Sequence, residues 1–233
     1  MKKTGLIFVL PLVVVFSCSQ SGKPSQGRSK VVGTVRDMPS YDIEDDTGDT
    51  RESLQRLYEE HRDAVFSVYT SNEKADVRGS GFLISDNGIA VSNYHVFVQK
   101  SPVEEKIRLK DGREYRVSEV LLSSKELDYV VFKLKTDSSE VFPFLSVAEE
   151  APKIGESVFA MGGQDRMDRS TSSGIVSLLK KEEHLIQTTA KITPRNGGGP
   201  LLNKEGQVVG ITLPSIAKGK LNFVIDIRIL HLK

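Results

Sequence analysis

The side chains of this sequence that most readily do chemistry are few, with four histidines and one cysteine in 233 residues. A histidine acts as a base when a carboxylate fixes its tautomer and a hydroxyl or thiol lies within reach. Taken alone, His95 and Asp128 predict no more than a strand-end histidine and a surface aspartate. No cluster of His, Asp and Glu has the spacing of a metal site, so we expect no metal and no other cofactor. Surface positions are expected for the remaining histidines, His61, His184 and His231.

Three segments follow one another in a recognisable order. Residues 79–96 read GSGFLISDNGIAVSNYHV and contain His95. Residues 127–134 read LDYVVFKL and contain Asp128. Residues 186–203 read IQTTAKITPRNGGGPLLN. In this order and spacing they resemble the trypsin-like serine proteases of the HtrA type, the disulfide-free bacterial form of the chymotrypsin-like fold.

The resemblance implies a fold, an activity and roles for individual residues. It implies an all-β domain of two six-stranded antiparallel β-barrels with a short N-terminal helix, and cleavage of peptides or unfolded protein segments. His95 would be the general base and Asp128 would orient its imidazole, while Gly197 falls at the position of the nucleophilic serine. The backbone N–H groups of Arg195 and Gly197 would form the oxyanion hole.

Substrate contacts are implied in the same way. Lys191 lies six residues before Gly197, where this fold often places the base of its first specificity pocket. A lysine there indicates that the pocket accepts acidic or polar side chains of the substrate. The segment Thr212, Leu213, Pro214 and Ser215 would offer an exposed strand edge to an added peptide strand. Too few residues follow the last predicted strand for a PDZ module, so a peptide is expected to bind in the cleft itself.

The nucleophile position departs from the family pattern. Gly197 has no side chain, and the alignment around it is fixed by Asn196 on one side and the run 198–200 (Gly-Gly-Pro) on the other. Arg195 replaces a glycine of the oxyanion hole, and a residue with a side chain resists positive φ values. These differences indicate impaired catalysis in an intact fold. Three functions stay open: a peptide- or protein-binding pseudoprotease, an active endopeptidase in protein quality control or processing, and a structural surface lipoprotein.

The N-terminal region predicts a lipid anchor and a tether. Two lysines precede a short apolar run, which suits a signal peptide over residues 1–17. Cys18 follows in a segment that resembles a bacterial lipobox, which implies acylation of Cys18 and an anchor at the cell envelope, on the periplasmic or surface face of the outer membrane. Residues 18–50 are rich in small and polar residues and predict a flexible tether. The protease-like domain is then expected at 51–233.

Patterning also predicts the elements that position these residues. Leu54, Leu57 and Tyr58 at helical spacing predict a helix over 50–62. The sequence Asp-Asn-Gly at 86–88 predicts a type I′ hairpin, because Asn-Gly supplies the positive φ values which that turn needs. Short strands with glycine-rich turns predict a closed or sandwiched all-β architecture. Strands are expected at 65–69, 81–85, 89–92, 106–109, 115–122, 129–135, 157–161, 174–179, 185–188, 200–202, 208–212 and 222–225.

Composition argues against some classes of function. Lys and Arg number 32 and Asp and Glu 31, for a net charge of +1, so no overall field favours nucleic acid. The chain has no tryptophan and no interleaving of aromatic and basic residues that would indicate base stacking. A single cysteine cannot form an internal disulfide, so the core is expected to be stable without one.

Overall fold

The structure, a computed structural model, describes residues 47–69, 77–97, 106–137, 139–163, 171–214 and 221–231. All of them belong to the unit formed by residues 45–233. The predicted signal peptide, the predicted acylation site Cys18 and residues 18–46 of the predicted tether lie outside the described residues. No helix in the described part of the chain is long and apolar enough to cross a membrane.

A single α-helix, α1, precedes the strands in the described part of the chain and spans Thr47–His61. It begins before the predicted start at residue 50, so the end of the predicted tether is helical. Leu57 and Tyr58 are buried, and Leu54 packs against the same apolar cluster, as expected for residues three and four apart on one helix face. That cluster also contains residues of the strands, so the helix is held by its apolar face.

Within the described residues, twelve strands form two closed antiparallel barrels, which confirms the predicted fold class. The first barrel has the order β1-β2-β3-β6-β5-β4 and the second the order β10-β11-β12-β9-β8-β7. The strands of the first barrel are β1 Val65–Tyr69, β2 Val77–Leu83, β3 Ile89–Ser92, β4 Lys106–Arg108, β5 Glu114–Ser124 and β6 Tyr129–Leu134. Those of the second are β7 Ser157–Met161, β8 Thr171–Lys180, β9 Leu185–Thr188, β10 Pro200–Leu202, β11 Val208–Leu213 and β12 Asn222–Asp226.

Strand β6 shows how the core is divided. Val130, Phe132 and Leu134 point into the cluster that fills the first barrel. Tyr129 and Val131 join the other cluster, to which both barrels and α1 contribute. Successive side chains of a strand point to opposite faces, and both faces of β6 are covered by protein. The strand is therefore apolar almost throughout, and it holds the segment before it, which contains Asp128, against the first barrel.

The turn between β2 and β3 differs from the prediction. Gly88 has a φ of +84°, but Asn87 is not among the described residues with positive φ, so the turn is not type I′. The Gly88 N–H donates to the Ser85 carbonyl at 3.2 Å, and the Ile84 N–H donates to the Ile89 carbonyl at 2.9 Å. Four residues, 85–88, therefore connect the bonded pair Ile84 and Ile89, and of these only Gly88 has the left-handed conformation.

Candidate active site

His95 lies in a short 3₁₀ turn, Tyr94–Phe97, directly after β3. Val96 and Phe97 in the same turn are buried, each about 1% exposed. Phe97 packs edge to face on Phe132 of β6, with 5.1 Å between ring centroids. The apolar half of the turn is thus fixed in the first barrel, while the side chain of His95 is left 45% exposed.

Asp128 holds His95 at two points. Its Oδ2 lies 2.7 Å from Nδ1 of the imidazole, and its Oδ1 accepts the backbone N–H of His95 at 2.8 Å. An ionised carboxylate only accepts hydrogen bonds, so the proton of the neutral imidazole belongs on Nδ1 and the basic lone pair on Nε2. The pair therefore has the geometry of a histidine prepared to remove a proton through Nε2.

The backbone at Asp128 is itself unusual, with a φ of +54°. Aspartate is among the residues that tolerate this left-handed conformation. The buried side chain of Asn93 donates from Nδ2 to the Asp128 carbonyl at 3.0 Å. The segment before His95 therefore supports the aspartate, and Asn93 is a positioning residue to which the sequence motif alone assigned no role.

The glycine-rich segment 197–199 packs closely on both barrels. The Gly197 carbonyl accepts the Ser80 N–H of β2 at 2.7 Å. Gly198 has a φ of +81°, and a Cβ there would lie 2.4 Å from the Ser80 carbonyl oxygen. A Cβ on Gly199 would lie 2.1 Å from the Met161 carbonyl oxygen of β7. At 198 and 199, glycine is required because protein backbone approaches too closely for any side chain.

Ser80 is a second residue that reasoning from the sequence missed. It is fully buried; its Oγ donates to the Arg195 carbonyl at 2.8 Å and accepts the Gly163 N–H at 2.9 Å. Ser80 thus joins the first barrel to the loop before Gly197. A polar residue between two glycines of a buried strand was the signal available in the sequence, because a buried hydroxyl needs partners.

The predicted oxyanion-hole donor at Gly197 is already bonded in this structure. Its N–H donates to the Thr193 carbonyl at 3.1 Å, and the Asn196 N–H donates to the same oxygen at 3.2 Å. The Asn196 side chain in turn accepts the Thr193 N–H at 2.7 Å through Oδ1. The loop therefore closes on itself as a helical turn, and an oxyanion at this position would have to displace the Thr193 carbonyl.

Lys191 and Arg195 line one open cavity of about 510 Å³, together with Thr171, Ser172, Thr193, Pro194 and Asn196. Among the described residues that line this cavity, two have basic side chains and none has an acidic one. The cavity lies on the side of the loop that faces β8, where Ser172 Oγ donates to the Lys191 carbonyl at 2.8 Å. Thr212, Leu213 and Pro214 do not line it, so Lys191 and the predicted strand edge are not brought together around one pocket.

Thr212 is not on an open strand edge, so the prediction is wrong for this residue. It is fully buried; its N–H donates to the Gly199 carbonyl at 2.9 Å, and its own carbonyl accepts the Gly198 N–H at 2.9 Å. Its Oγ1 donates to the Asn196 and Gly199 carbonyls. The end of β11 is thereby fastened to the glycine-rich segment, and Thr212 has no backbone group to offer a peptide.

Two closed six-stranded barrels with a His–Asp pair and a glycine-rich loop define the class of chymotrypsin-like serine protease domains. A family model described as "Trypsin-like peptidase domain" matches residues 79–211, more than half of the chain. The chain belongs to this family.

Similar proteins include proteases of the HtrA and DegP type. The chain is 33% identical over 165 residues to "Serine protease HTRA1A" of Danio rerio, which covers 65% of this chain and 33% of that protein. It is 35% identical over 146 residues to "Probable periplasmic serine endoprotease DegP-like" of Chlamydia pneumoniae, covering 59% of this chain and 29% of that one. The chain thus spans about a third of the length of these relatives. Among solved structures, the serine endoprotease from Yersinia pestis superimposes with a TM-score of 0.64 and 25% identity, covering 76% of this chain and 64% of that one.

Proposed function

We propose that this chain is a pseudoprotease: a trypsin-like domain, anchored at the cell envelope through Cys18, that binds peptides or unfolded protein segments and does not cleave them. The observation that carries the proposal is the contrast between two parts of the candidate site. The His95–Asp128 pair is in place at 2.7 Å, whereas position 197 has no side chain.

The chemistry explains why one missing side chain matters so much. In an acyl-transfer mechanism the hydroxyl forms the covalent intermediate, and the imidazole only moves its proton. Removing the serine from a protease of this chemistry lowers turnover by about a millionfold. With Gly197 at that position, the residue that the family pattern assigns as nucleophile has no hydroxyl for His95 and Asp128 to activate.

Polypeptide ligands are supported by the kinship with proteases. The relatives are named as serine proteases and endoproteases, and an endoprotease acts on polypeptide chains. The basic cavity beside the loop has the exposed Lys191 in its lining, and the charge of this lysine favours acidic side chains over basic ones. The ligand that we propose is therefore a peptide with an Asp or Glu side chain that enters the basic cavity beside the glycine-rich segment.

An envelope location is supported by the N-terminal sequence and by the relatives. The lysines, the apolar run and Cys18 suit a lipoprotein signal, and several relatives are named as periplasmic. Two or three acyl chains hold a protein at a membrane far better than one. The proposed anchor would keep the domain beside unfolded proteins of the envelope.

Labelling and binding together test the proposal. A fluorophosphonate probe, which reacts only with an activated serine, should leave the protein unlabelled, and a fluorogenic casein substrate should remain uncut. Fluorescence anisotropy should show binding of an acidic peptide that weakens in Lys191→Gln. Lys153→Gln is the matched control, since Lys153 is exposed and lies outside the basic cavity. Cleavage abolished by His95→Ala would instead establish an active endopeptidase, and absence of peptide binding would favour a structural lipoprotein.

A further inference from the structure

The feature that excludes a side chain at position 197 differs from the features that exclude one at 198 and 199. Gly198 needs its left-handed φ of +81°, and Gly199 faces the Met161 carbonyl. The φ of Gly197 lies outside the left-handed region, so its backbone conformation is open to residues with a side chain. Another feature must account for the space around it.

The ring of Pro214 fills that space. A Cβ built on Gly197 would lie 2.1 Å from Pro214 Cγ and 2.8 Å from Pro214 Cδ. The next nearest atom is the Pro194 carbonyl oxygen at 3.5 Å, an ordinary contact. Carbon atoms pack at about 3.5–4.0 Å, and a proline ring cannot rotate away as a flexible side chain could. The ring therefore excludes any side chain at 197 while Pro214 keeps its place.

Hydrogen bonds hold the backbone of Gly197 and the end of β11 just before Pro214. On one side, the Gly197 carbonyl accepts the Ser80 N–H at 2.7 Å and the Gly197 N–H donates to Thr193 at 3.1 Å. On the other, Thr212, two residues before Pro214, is bonded through its N–H and its carbonyl to Gly199 and Gly198. Moving Gly197 far enough to admit a Cβ would break bonds within this buried network, and the bonds of Thr212 limit how far the start of the segment that contains Pro214 can shift.

We infer that Gly197 and Pro214 form a matched pair in which the proline ring occupies the space of the nucleophile's side chain. Pro214 is then a second determinant of the missing catalytic activity, a consequence that rests on the proposed function. A serine placed at 197 would meet the ring before it could reach His95. Restoring a nucleophile would therefore require changes at both positions, and a ligand in the site would meet an apolar ring where a protease presents a hydroxyl.

Alanine substitutions isolate the two groups that collide. Gly197→Ala adds only the Cβ, and Pro214→Ala removes Cγ and Cδ, the two atoms nearest to it. Thermal unfolding of the full chain is followed by circular dichroism for the wild type, both single variants and the double variant. We expect Gly197→Ala to lower Tm by about 5 °C in the Pro214 background, as overpacking of a domain of this size does. In the Pro214→Ala background the same change should lower Tm by less than about 1 °C.

Pro143→Ala serves as the matched control, because Pro143 is exposed and distant in sequence from the loop. Combining it with Gly197→Ala should leave the 5 °C loss unchanged. Equal losses in the Pro214 and Pro214→Ala backgrounds would overturn the inference, as would an unchanged Tm for Gly197→Ala alone. Should Gly197→Ala fail to fold, a folded double variant supports the pairing and an unfolded one refutes it. The measurement involves no peptide and no cleavage, so failure of the proposed function would be seen separately.

Discussion

Replacing Phe132 by alanine should destabilise the domain strongly, because this side chain lies at the centre of the first barrel. Phe132 is fully buried; its ring is edge to face with Phe97 at 5.1 Å and with Phe66 at 6.2 Å. Truncating a buried phenylalanine costs about 3–5 kcal/mol, and each aromatic pair adds about 0.5–1.5 kcal/mol beyond its buried area. We expect a loss near the upper end, about 4–5 kcal/mol. That loss is a large share of a typical domain stability of about 5–15 kcal/mol.

Urea unfolding followed by far-UV circular dichroism measures this loss, since the chain has no tryptophan for fluorescence. Phe144→Ala is the matched control: Phe144 is 52% exposed, and its truncation should cost less than about 1 kcal/mol. A loss below about 2 kcal/mol for Phe132→Ala would refute the reasoning that the barrel interior is closely packed around this ring.

The same variant should affect the candidate site. Phe97 packs on Phe132 and ends the turn that carries His95, so removing the Phe132 ring leaves that turn less firmly held. The His95 N–H, which donates to Asp128 at 2.8 Å, should then exchange with solvent faster than in the wild type. In Phe144→Ala its exchange should be unchanged. Equal protection of the His95 N–H from exchange in both variants would show that the Phe132 ring does not stabilise this turn.

Three further predictions concern the nucleophile position, an ionisable surface group and the anchor. Gly197→Ser should remain unlabelled by a fluorophosphonate because the Pro214 ring obstructs it, and Gly197→Ser combined with Pro214→Ala should label more strongly; equal labelling would contradict the obstruction. Hydrogen bonds from Thr136 and Tyr115 lower the pKa of Glu140, so this group stabilises the fold above its ordinary pKa of about 4.5 and less as the pH falls through its lowered value. Acid titration of Glu140→Gln should therefore show a smaller fall in the free energy of unfolding between about pH 5 and 3, and an identical curve would refute this. Cys18→Ala should move the protein from the membrane fraction to the soluble fraction, and unchanged fractionation would refute the proposed lipid anchor.

Tyr115 belongs to the same surface network as Glu140. Its hydroxyl donates to the Glu140 carboxylate, and burial together with that hydrogen bond raises the pKa of Tyr115 to about 12. Arg113 also contacts this carboxylate, at 2.7 Å. Because these partners lie on β5 and on the segment before it, the pH effect predicted for Glu140 reports on the first barrel.

Local pattern was enough to find most of the fold. Strands β7, β9 and β10 have the predicted bounds, because alternating or continuous apolar residues report directly which faces of a strand are buried. The same pattern located β6, whose two faces are covered by different clusters. The missing side chain at Gly197 needed no structure, since the residue type at one position is a fact of the sequence.

Local turn chemistry was less reliable. The Asn-Gly pair at 87–88 favours a type I′ turn in an isolated hairpin, yet only Gly88 has a positive φ. Leu134 donates its N–H to the Gly88 carbonyl at 3.0 Å, so a neighbouring strand fixes the end of this turn. This tertiary contact outweighed the local preference of the Asn-Gly pair. A window of a few residues cannot reveal such a contact, because its partners are far apart in the sequence.

The contacts that surround the glycine-rich segment were decided by tertiary structure alone. Ser80 reaches the Arg195 carbonyl across 115 positions of sequence, and Pro214 meets the space beside Gly197 because the end of β11 is fastened at Thr212. Periodicity and turn propensity describe energies within a short stretch of chain, whereas these contacts depend on how distant strands pair and stack. The sequence therefore determined that residue 197 has no side chain, and the tertiary packing determined that the Pro214 ring lies against it.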